Sequence, residues 1–452
     1  GKKSFDGGEF DNQNLIKELV QLRQEKAQLL GYKSFADYVL EERMAKSPQK
    51  VLEFLNELLT KAKPFAQKDV EELSVLAKAD GITEMQSYDH AYYAEKLRKQ
   101  KFDFNDEELK PYFQLDKVQE AVFGLAGKLF GLEFVETTDI QKYHADVKTY
   151  EIFERYEIRD TRYEIENVES LETRNPELGT QFKALLYADY HPRKGKRAGA
   201  WMTSFKNQYI KNGENHRPHI SVVCNFTKPT SETPSLLTFN EVTTLFHEFG
   251  HALHGVLANT QYPNLSGTSV KWDFVELPSQ FLENYCYEPE FLKTFAKHYQ
   301  TGEVLPDEKI QKIEDSKNFM EGYQTLRQLS FGILDMSYHA ENVKVEDVKT
   351  FETETIKATQ VYPTLAETAI STSFSHIFQG GYSAGYYSYK WAEVLDADAF
   401  QYFKENGIFN SEIASKYKIL LSSGGTKDPM ELFKAFRGSE PRVESLLKRA
   451  FG

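Results

Sequence analysis

The residues with the clearest potential for chemistry are His247, Glu248 and His251, which form an H-E-x-x-H pattern. On an α-helix, residues four apart lie on one face, one turn above the other. Two imidazoles so placed can bind one Zn²⁺ ion, and the neighbouring glutamate can act as general base toward a water molecule that the metal activates. The pattern predicts a hydrolytic metal centre; the alternative is a chance match on an ordinary amphipathic helix.

The flanking sequence predicts a helix from about 239 to 258. Thr238 and Glu241 have the spacing of a capping box, in which each side chain accepts the other residue's backbone N–H. Apolar residues then recur three and four positions apart, at Val242, Leu245, Phe249, Leu253 and Val256. A capped helix with one apolar stripe is what a buried metal site needs.

A catalytic zinc ion needs a third protein ligand and an open position for water. Two glutamates, Glu276 and Glu283, come after this helix in the sequence. They are seven residues apart, so both could lie on one face of a further helix. Spacing alone does not choose between them. Glu276 is favoured because its segment has fewer surface charges, and Glu283 would then support the site or lie on the surface. We expect His254, three residues after His251, to pack against the site.

Residues 376–391 form a second region of interest, with four tyrosines, one histidine and three glycines. Hydrolysis of an amide passes through a tetrahedral oxyanion, which neutral Tyr O–H or His N–H donors can stabilise. A mobile loop could aim such donors at a cleft. The alternative is a glycine-containing loop that leads into an aromatic core helix, and this segment alone does not exclude it.

Composition limits the class of protein. The 452 residues, 40% of them hydrophobic, are enough for a large core and for two lobes. A net charge of −13 argues against nucleic acid and anionic membranes as partners. No apolar run is long enough to span a membrane and no signal peptide is visible, so we expect a cytoplasmic protein. Cys224 and Cys286 predict buried free thiols.

Periodicity predicts a mainly helical chain with a small sheet. We divide it into a helical region at 1–135, a central region at 136–300 with the sheet and the zinc-binding helices, and a C-terminal helical region at 301–452. In the first region, a buried helical stripe is expected from Leu15, Leu19, Leu22, Leu29 and Leu30. In the last, one long helix is expected from Asp307 to about His339.

The central region contains three predicted strands, at 183–189, 198–203 and 219–226. A strand beside the metal helix can pair with an extended substrate, and one of these strands is the candidate. Residues 153–181 have a highly charged alternating pattern, which we interpret as an extra hairpin or an exposed excursion.

Three segments together, His247–Gly255, Phe274–Gln280 and His376–Tyr389, resemble the thimet oligopeptidase family of zinc metallopeptidases. Within it, the chain is most similar to the bacterial branch that holds oligopeptidase A and peptidyl-dipeptidase Dcp. The resemblance runs from about residue 10 to the C-terminus. It implies a gluzincin arrangement with Glu276 as third ligand of one zinc ion. It also implies two helical lobes flanking a deep channel that admits short peptides and excludes folded proteins.

The resemblance also implies roles for the tyrosine–glycine segment. Glu248 would be the general base, Tyr389 with Tyr382 would stabilise the oxyanion, and His376 would help to close the loop on the peptide. The implied substrate-binding residues are His376, Gly380, Gly381, Tyr382, Tyr386 and Tyr389.

The sequence departs from the family pattern in two places. The family has a further N-terminal helical region that forms part of a channel wall, and this chain begins after it. The chain is therefore expected to have a more open channel, to be completed by another chain, or to be part of a longer protein. Residues 153–181 stand where the family has a short strand connection, and we interpret them as an insertion.

The expected function is hydrolysis of internal bonds in short unstructured peptides by a monomer. The first alternative is a peptidyl-dipeptidase that releases C-terminal dipeptides, which needs a basic or backbone site for the free carboxylate that the sequence does not locate. The second is a catalytically impaired metal- or peptide-binding protein. Glu248 disfavours the second alternative, because a pure binding site needs no base.

Overall fold

The computed structural model describes residues 4–102, 106–158 and 177–452. In these ranges the α-helices are α1 Gln13–Leu29, α2 Phe35–Leu40, α3 Pro48–Ala79, α4 His90–Phe102, α5 Asp106–Leu109, α6 Leu115–Phe130, α7 Phe239–Leu257, α8 Leu277–Glu283, α9 Pro289–Phe295, α10 Asp307–Ser316, α11 Glu321–Tyr338, α12 Val348–Ile356, α13 Ser375–Phe378, α14 Ser388–Asn406, α15 Ser411–Ser422, α16 Pro429–Arg437 and α17 Val443–Phe451. The strands are β1 Leu132–Glu136, β2 Lys148–Ile158, β3 Glu177–Asp189, β4 Trp201–Lys206, β5 Tyr209–Lys211, β6 Glu214–His216 and β7 His219–Val223. The predicted class, mainly helical with a small sheet, is confirmed.

The larger sheet is mixed, with strand order β1-β2-β3-β7-β4. β3 and β7 are parallel, with Leu186 opposite Ile220, whereas the other neighbouring strands are antiparallel. β4 therefore forms one edge of this sheet, and β5 and β6 pair separately as a hairpin. The three strands predicted in the central region correspond to parts of β3, β4 and β7.

The charged stretch at 153–181 begins and ends within paired strands. Residues 153–158 belong to β2 and 177–181 to β3, and these strands pair up to Ile158 opposite Glu177. The residues between them lie outside the described part of the chain. The interpretation of 153–181 as an insertion therefore stays a prediction.

α7 lies at the centre of the core. One side contacts β7 and β4, and the other side contacts α8. Its apolar stripe, which includes Val242 and Phe249, is fully buried with Ile220 and Val222 of the sheet. A second apolar cluster joins α3 to α11 and α17. Among the described helices, none combines the length and the apolar character that crossing a bilayer requires.

The predicted buried stripe of α1 is wrong. Leu15, Leu22, Leu29 and Leu30 are exposed, with Leu29 87% accessible, and the helix instead buries Ile16, Val20 and Ala27. Both sets of residues recur at helical spacing, so periodicity alone admits either face. Ile16 and Val20 belong to a buried cluster with residues of α11 and α12, and packing into this cluster decides the orientation.

The single helix predicted from Asp307 to about His339 is also wrong, because two helices, α10 and α11, occupy this stretch. Met320, immediately before α11, has φ of 58°, in the left-handed region that interrupts a right-handed helix. Its side chain is nevertheless buried.

Candidate metal and active site

The two histidines project from α7, which begins with the predicted capping box. The Thr238 side chain accepts the backbone N–H of Glu241, and the Glu241 carboxylate accepts the backbone N–H of Thr238. The rings of His247 and His251 lie on one face of the helix, with centroids 5.0 Å apart. Local sequence alone thus accounts for this half of the site.

Glu276 comes from the turn that leads into α8, and a close approach of α7 and α8 brings it to the histidines. Gly250 makes this approach possible, because a Cβ atom there would lie 2.4 Å from the Pro278 carbonyl oxygen. Glu276 Oε2 lies 3.2 Å from His251 Nε2 and 3.4 Å from His247 Nε2. The candidate ligand atoms of the three residues all lie within 4.8 Å of one another.

These separations fit a zinc ion. Tetrahedral ligands at zinc's usual bond lengths of about 2.0–2.1 Å are about 3.3 Å apart. The measured 3.2 and 3.4 Å therefore leave room for one ion between Glu276 and the two imidazoles. Two nitrogen donors and one carboxylate oxygen are also a donor set that zinc accepts.

The structure distinguishes Glu276 from Glu283, the two candidates for the third ligand between which spacing alone did not choose. Glu283 Oε1 lies 2.6 Å from the other ring nitrogen of His247, Nδ1, and so faces away from the cluster. A carboxylate in this position fixes the orientation and tautomer of a metal-binding imidazole. His254 is fully buried, and burial lowers its pKa to about 3, which agrees with the expectation that it packs against the site.

Glu248 points toward the sheet edge next to the cluster. It is 7% exposed. Burial raises the pKa of its carboxyl, against opposing effects of His247, His251 and the backbone N–H of Met202 on β4. A carboxylate with a raised pKa, beside a candidate metal site and the edge strand β4, is suited to accepting a proton.

The distant tyrosines reach the same place. The Tyr382 hydroxyl donates a hydrogen bond of 2.8 Å to Glu276 Oε1, and the ring of Tyr389 stacks on that of Tyr382 at 4.8 Å. Burial raises the pKa of both phenols above the usual value. Both therefore remain neutral hydrogen-bond donors in neutral solution.

His376 and the glycines lie on the adjoining segment. The His376 ring is 6.2 Å from that of Tyr382 and 5.9 Å from that of Tyr386. Gly381 lies against Trp272, whose ring a Cβ atom there would approach to 3.0 Å. Gly380 is exposed beside it. All the residues predicted from sequence thus lie in one region, although their roles stay predictions.

Sequence reasoning missed the residues that hold the 376–386 segment. The buried Asp335 of α11 accepts the backbone N–H groups of Ala384, Gly385 and Tyr386, each at 2.8–2.9 Å. Arg23 of α1 donates to the carbonyl oxygens of Ile377 and Phe378. Asp335 holds the C-terminal end of the segment, and Arg23 holds its N-terminal end. An aspartate inside the apolar stripe of α11 was the one available signal.

The fold and the site define a class of protein. A mainly helical chain in which two histidines of an H-E-x-x-H helix meet a glutamate that leads into the following helix has the architecture of the metallopeptidases. The chain belongs to peptidase family M3, whose family model matches residues 3–451. The family resemblance predicted from the three motifs is confirmed.

Two curated relatives from Escherichia coli (strain K12) bear on the function. Oligopeptidase A is 41% identical over 447 residues, covering 98% of this chain and 62% of the relative. Dipeptidyl carboxypeptidase is 37% identical over 444 residues, covering 97% and 62%. The chain therefore spans less than two thirds of the length of both relatives.

Among solved structures, the M32 carboxypeptidase from Deinococcus radiodurans R1 matches with a TM-score of 0.54 and 12% sequence identity. The match covers 99% of this chain and 74% of that chain. At this identity the likeness concerns the fold alone.

Proposed function

We propose that this chain is a zinc-dependent oligopeptidase that hydrolyses internal bonds of short unstructured peptides. The observation that carries the proposal is the convergence of His247, His251 and Glu276 beside the buried Glu248. The identity to oligopeptidase A supports the same activity.

The three ligands would hold the zinc ion, and Glu283 would orient His247. When bound, the ion supplies Lewis acidity, which polarises a carbonyl group and makes a water molecule more acidic. Glu248 accepts a proton from the attacking water and returns it to the leaving amine. β4 offers its free edge to an extended peptide, which would lie along the sheet beside Glu248.

We assign stabilisation of the oxyanion first to Tyr389. The Tyr382 hydroxyl is already bonded to Glu276, so its main part is to hold that ligand, with a secondary part at the oxyanion. His376, Tyr386, Gly380 and Gly381 would contact the peptide from the adjoining segment.

The second candidate is release of C-terminal dipeptides, which the 37% identity to a dipeptidyl carboxypeptidase favours. The two activities differ in whether a free C-terminal carboxylate is needed. Hydrolysis of one peptide with a free and with an amidated C-terminus separates them.

The test is digestion of a mixed peptide pool by the zinc-loaded protein, with products identified by mass spectrometry. Internal cleavage should stop with a chelator and return with added zinc. Glu248→Gln should still bind one zinc ion but lose activity by at least about a hundredfold. Chelator-resistant cleavage, or full activity of the Glu248→Gln variant, would contradict the proposal. Zinc binding without hydrolysis of any peptide would favour a metal- or peptide-binding protein.

A further inference from the structure

Trp272 packs against the tyrosine–glycine segment from a different part of the fold. It lies in the connection between α7 and α8, shortly before Glu276. Its ring meets that of Tyr382 edge to face, with the centroids 5.3 Å apart. A Cβ atom on Gly381 would lie 3.0 Å from Cζ2 and 3.2 Å from Cη2 of the same indole. One indole therefore borders two consecutive residues of the 376–386 segment.

Both sequence neighbours of Trp272 are anchored to other elements. The fully buried Asp273 accepts two backbone N–H groups from the connection between α2 and α3, at 3.0 and 3.1 Å, and the Tyr387 hydroxyl at 2.7 Å. On the other side, Lys271 forms an ion pair of 2.8 Å with Asp428, the residue that caps α16. These contacts hold the backbone on both sides of Trp272, so its indole is a fixed surface.

Tyr382 depends on ring contacts for its orientation. Its hydroxyl donates to Glu276 Oε1 at 2.8 Å, and its ring contacts both the stacked ring of Tyr389 and the edge of Trp272. Aromatic pairs of these two geometries favour one relative orientation and contribute beyond the area that they bury. The two residues before Tyr382 are exposed glycines, which have no side chain to hold them. The ring contacts therefore help to keep the hydroxyl directed at Glu276.

Gly381 has no room for a side chain while Trp272 stays in place. The separations of 3.0 and 3.2 Å from a Cβ atom are shorter than the contact distance of about 3.5–4.0 Å that carbon atoms prefer. Gly380 is also confined, but by its own segment, because a Cβ atom there would lie 2.9 Å from the carbonyl oxygen of His376. The two adjacent glycines thus meet different obstacles, and substitutions can distinguish them.

We propose that Trp272 is a positioning residue of the candidate site. It sets how closely the 376–386 segment approaches the turn that carries Glu276, and it acts on the metal ligand through Tyr382. The inference rests on the proposed function and adds a residue outside the tyrosine–glycine segment against which that segment closes.

The test is a double-mutant cycle with two readouts, zinc affinity from competition with a chelator and kcat/KM for a short peptide. Gly381→Ala should weaken zinc binding by about three- to tenfold, because the partner of Glu276 is displaced. It should also lower kcat/KM by about tenfold, since a misplacement of about 1 Å near a reacting site can cost about a hundredfold.

Trp272→Phe shortens the ring and removes the Cζ2 and Cη2 atoms that oppose a side chain at position 381. In this background, Gly381→Ala should change either quantity by about twofold or less, as expected for two residues in direct contact. Within the described ranges, the buried Trp272 Nε1 has no hydrogen-bond partner, so the substitution breaks no hydrogen bond. Trp272→Leu should relieve the Gly381→Ala penalty in the same way, and thermal unfolding checks that each variant is folded.

Gly380→Ala is the matched control, because its obstacle is a carbonyl oxygen of its own segment. Its penalty should be equal with and without Trp272→Phe. No penalty for Gly381→Ala, an equal Gly381→Ala penalty in both backgrounds, or equal relief of Gly380→Ala would overturn the inference. Absent hydrolysis by the unsubstituted protein would contradict the proposed function instead, and the zinc affinities alone would then decide the role of Trp272. Absent zinc binding would contradict both.

Discussion

Tyr382 and Tyr389 have stacked rings but different relations to the metal ligands. The Tyr382 hydroxyl donates directly to Glu276, whereas Tyr389, the second residue of α14, stacks on the ring of Tyr382. The same substitution, tyrosine to phenylalanine, should therefore have different effects at the two positions.

Tyr389→Phe should lower kcat by about a hundred- to a thousandfold, the usual effect of losing one oxyanion donor, with zinc affinity unchanged. Tyr382→Phe should weaken zinc binding by about tenfold, because a ligand loses its hydrogen-bond partner. Peptide turnover and competition with a chelator measure the two effects.

Tyr402→Phe, on the same helix as Tyr389, is the control and should change neither quantity. Turnover near that of the unsubstituted protein in Tyr389→Phe would remove Tyr389 from the mechanism. Unchanged zinc affinity in Tyr382→Phe would show that its bond to Glu276 does not support the site.

At the scale of elements, the segment between α13 and α14 depends on α11. Asp335 holds the backbone of Ala384, whose φ of 50° lies in the left-handed region that costs a residue with a side chain about 1 kcal/mol or more. His339 directly follows the last residue of α11, and its Nε2 lies 2.9 Å from Nη1 of Arg23, which holds the start of the segment. Both ends of the segment are thus fixed by charged groups outside it.

Asp335→Asn should lower kcat/KM by at least about tenfold while the zinc content stays the same. The side-chain amide that replaces the carboxylate would point an N–H donor at backbone N–H groups. The charge-assisted hydrogen bonds, worth about 1.5–3 kcal/mol each, would be lost, and the tyrosines would no longer be held in position. Steady-state kinetics and metal analysis of the folded variant measure both quantities.

Asp398→Asn provides the comparison, since Asp398 is equally buried but pairs with Arg437 and Arg442 elsewhere. It should reduce thermal stability without a selective loss of kcat/KM. If Asp335→Asn keeps the kinetics of the unsubstituted protein, the anchor does not position the tyrosines.

At the scale of the whole molecule, His90 joins distant parts of the chain. It begins α4, stacks on Tyr323 of α11 at 3.7 Å, and its Nδ1 lies 2.7 Å from the Tyr362 hydroxyl. Burial, together with the nearby Arg327 guanidinium, lowers the pKa of His90 to about 4. The folded protein therefore keeps this imidazole neutral at pH values where the unfolded chain protonates it.

The free energy of unfolding should consequently fall as the pH drops from about 6.5 toward 4, because the unfolded state binds the extra proton. His90→Gln should show a smaller loss of stability over this range. Denaturant unfolding at pH 7.5, 6 and 5 measures the difference. Between pH 7 and 8 both proteins should have the same pH dependence, and equal losses below pH 6.5 would exclude His90 as a contributor.

Several features followed from local sequence because their physical causes are local. The capping box at Thr238 and Glu241, the apolar stripe of α7 and the shared face of His247 and His251 depend on residues three or four apart. Helical geometry alone relates such residues, so their arrangement could be predicted before any tertiary contact was known.

The sequence by itself therefore determined the helix with two histidines and a base, and the motif order that indicated the family. Tertiary structure decided that Glu276 rather than Glu283 faces both histidines, because Gly250 lets α8 approach α7. It also decided which face of α1 is buried and that Asp335 holds a segment about 50 residues away along the chain. Such contacts join residues far apart in sequence, and no periodicity within either segment encodes them.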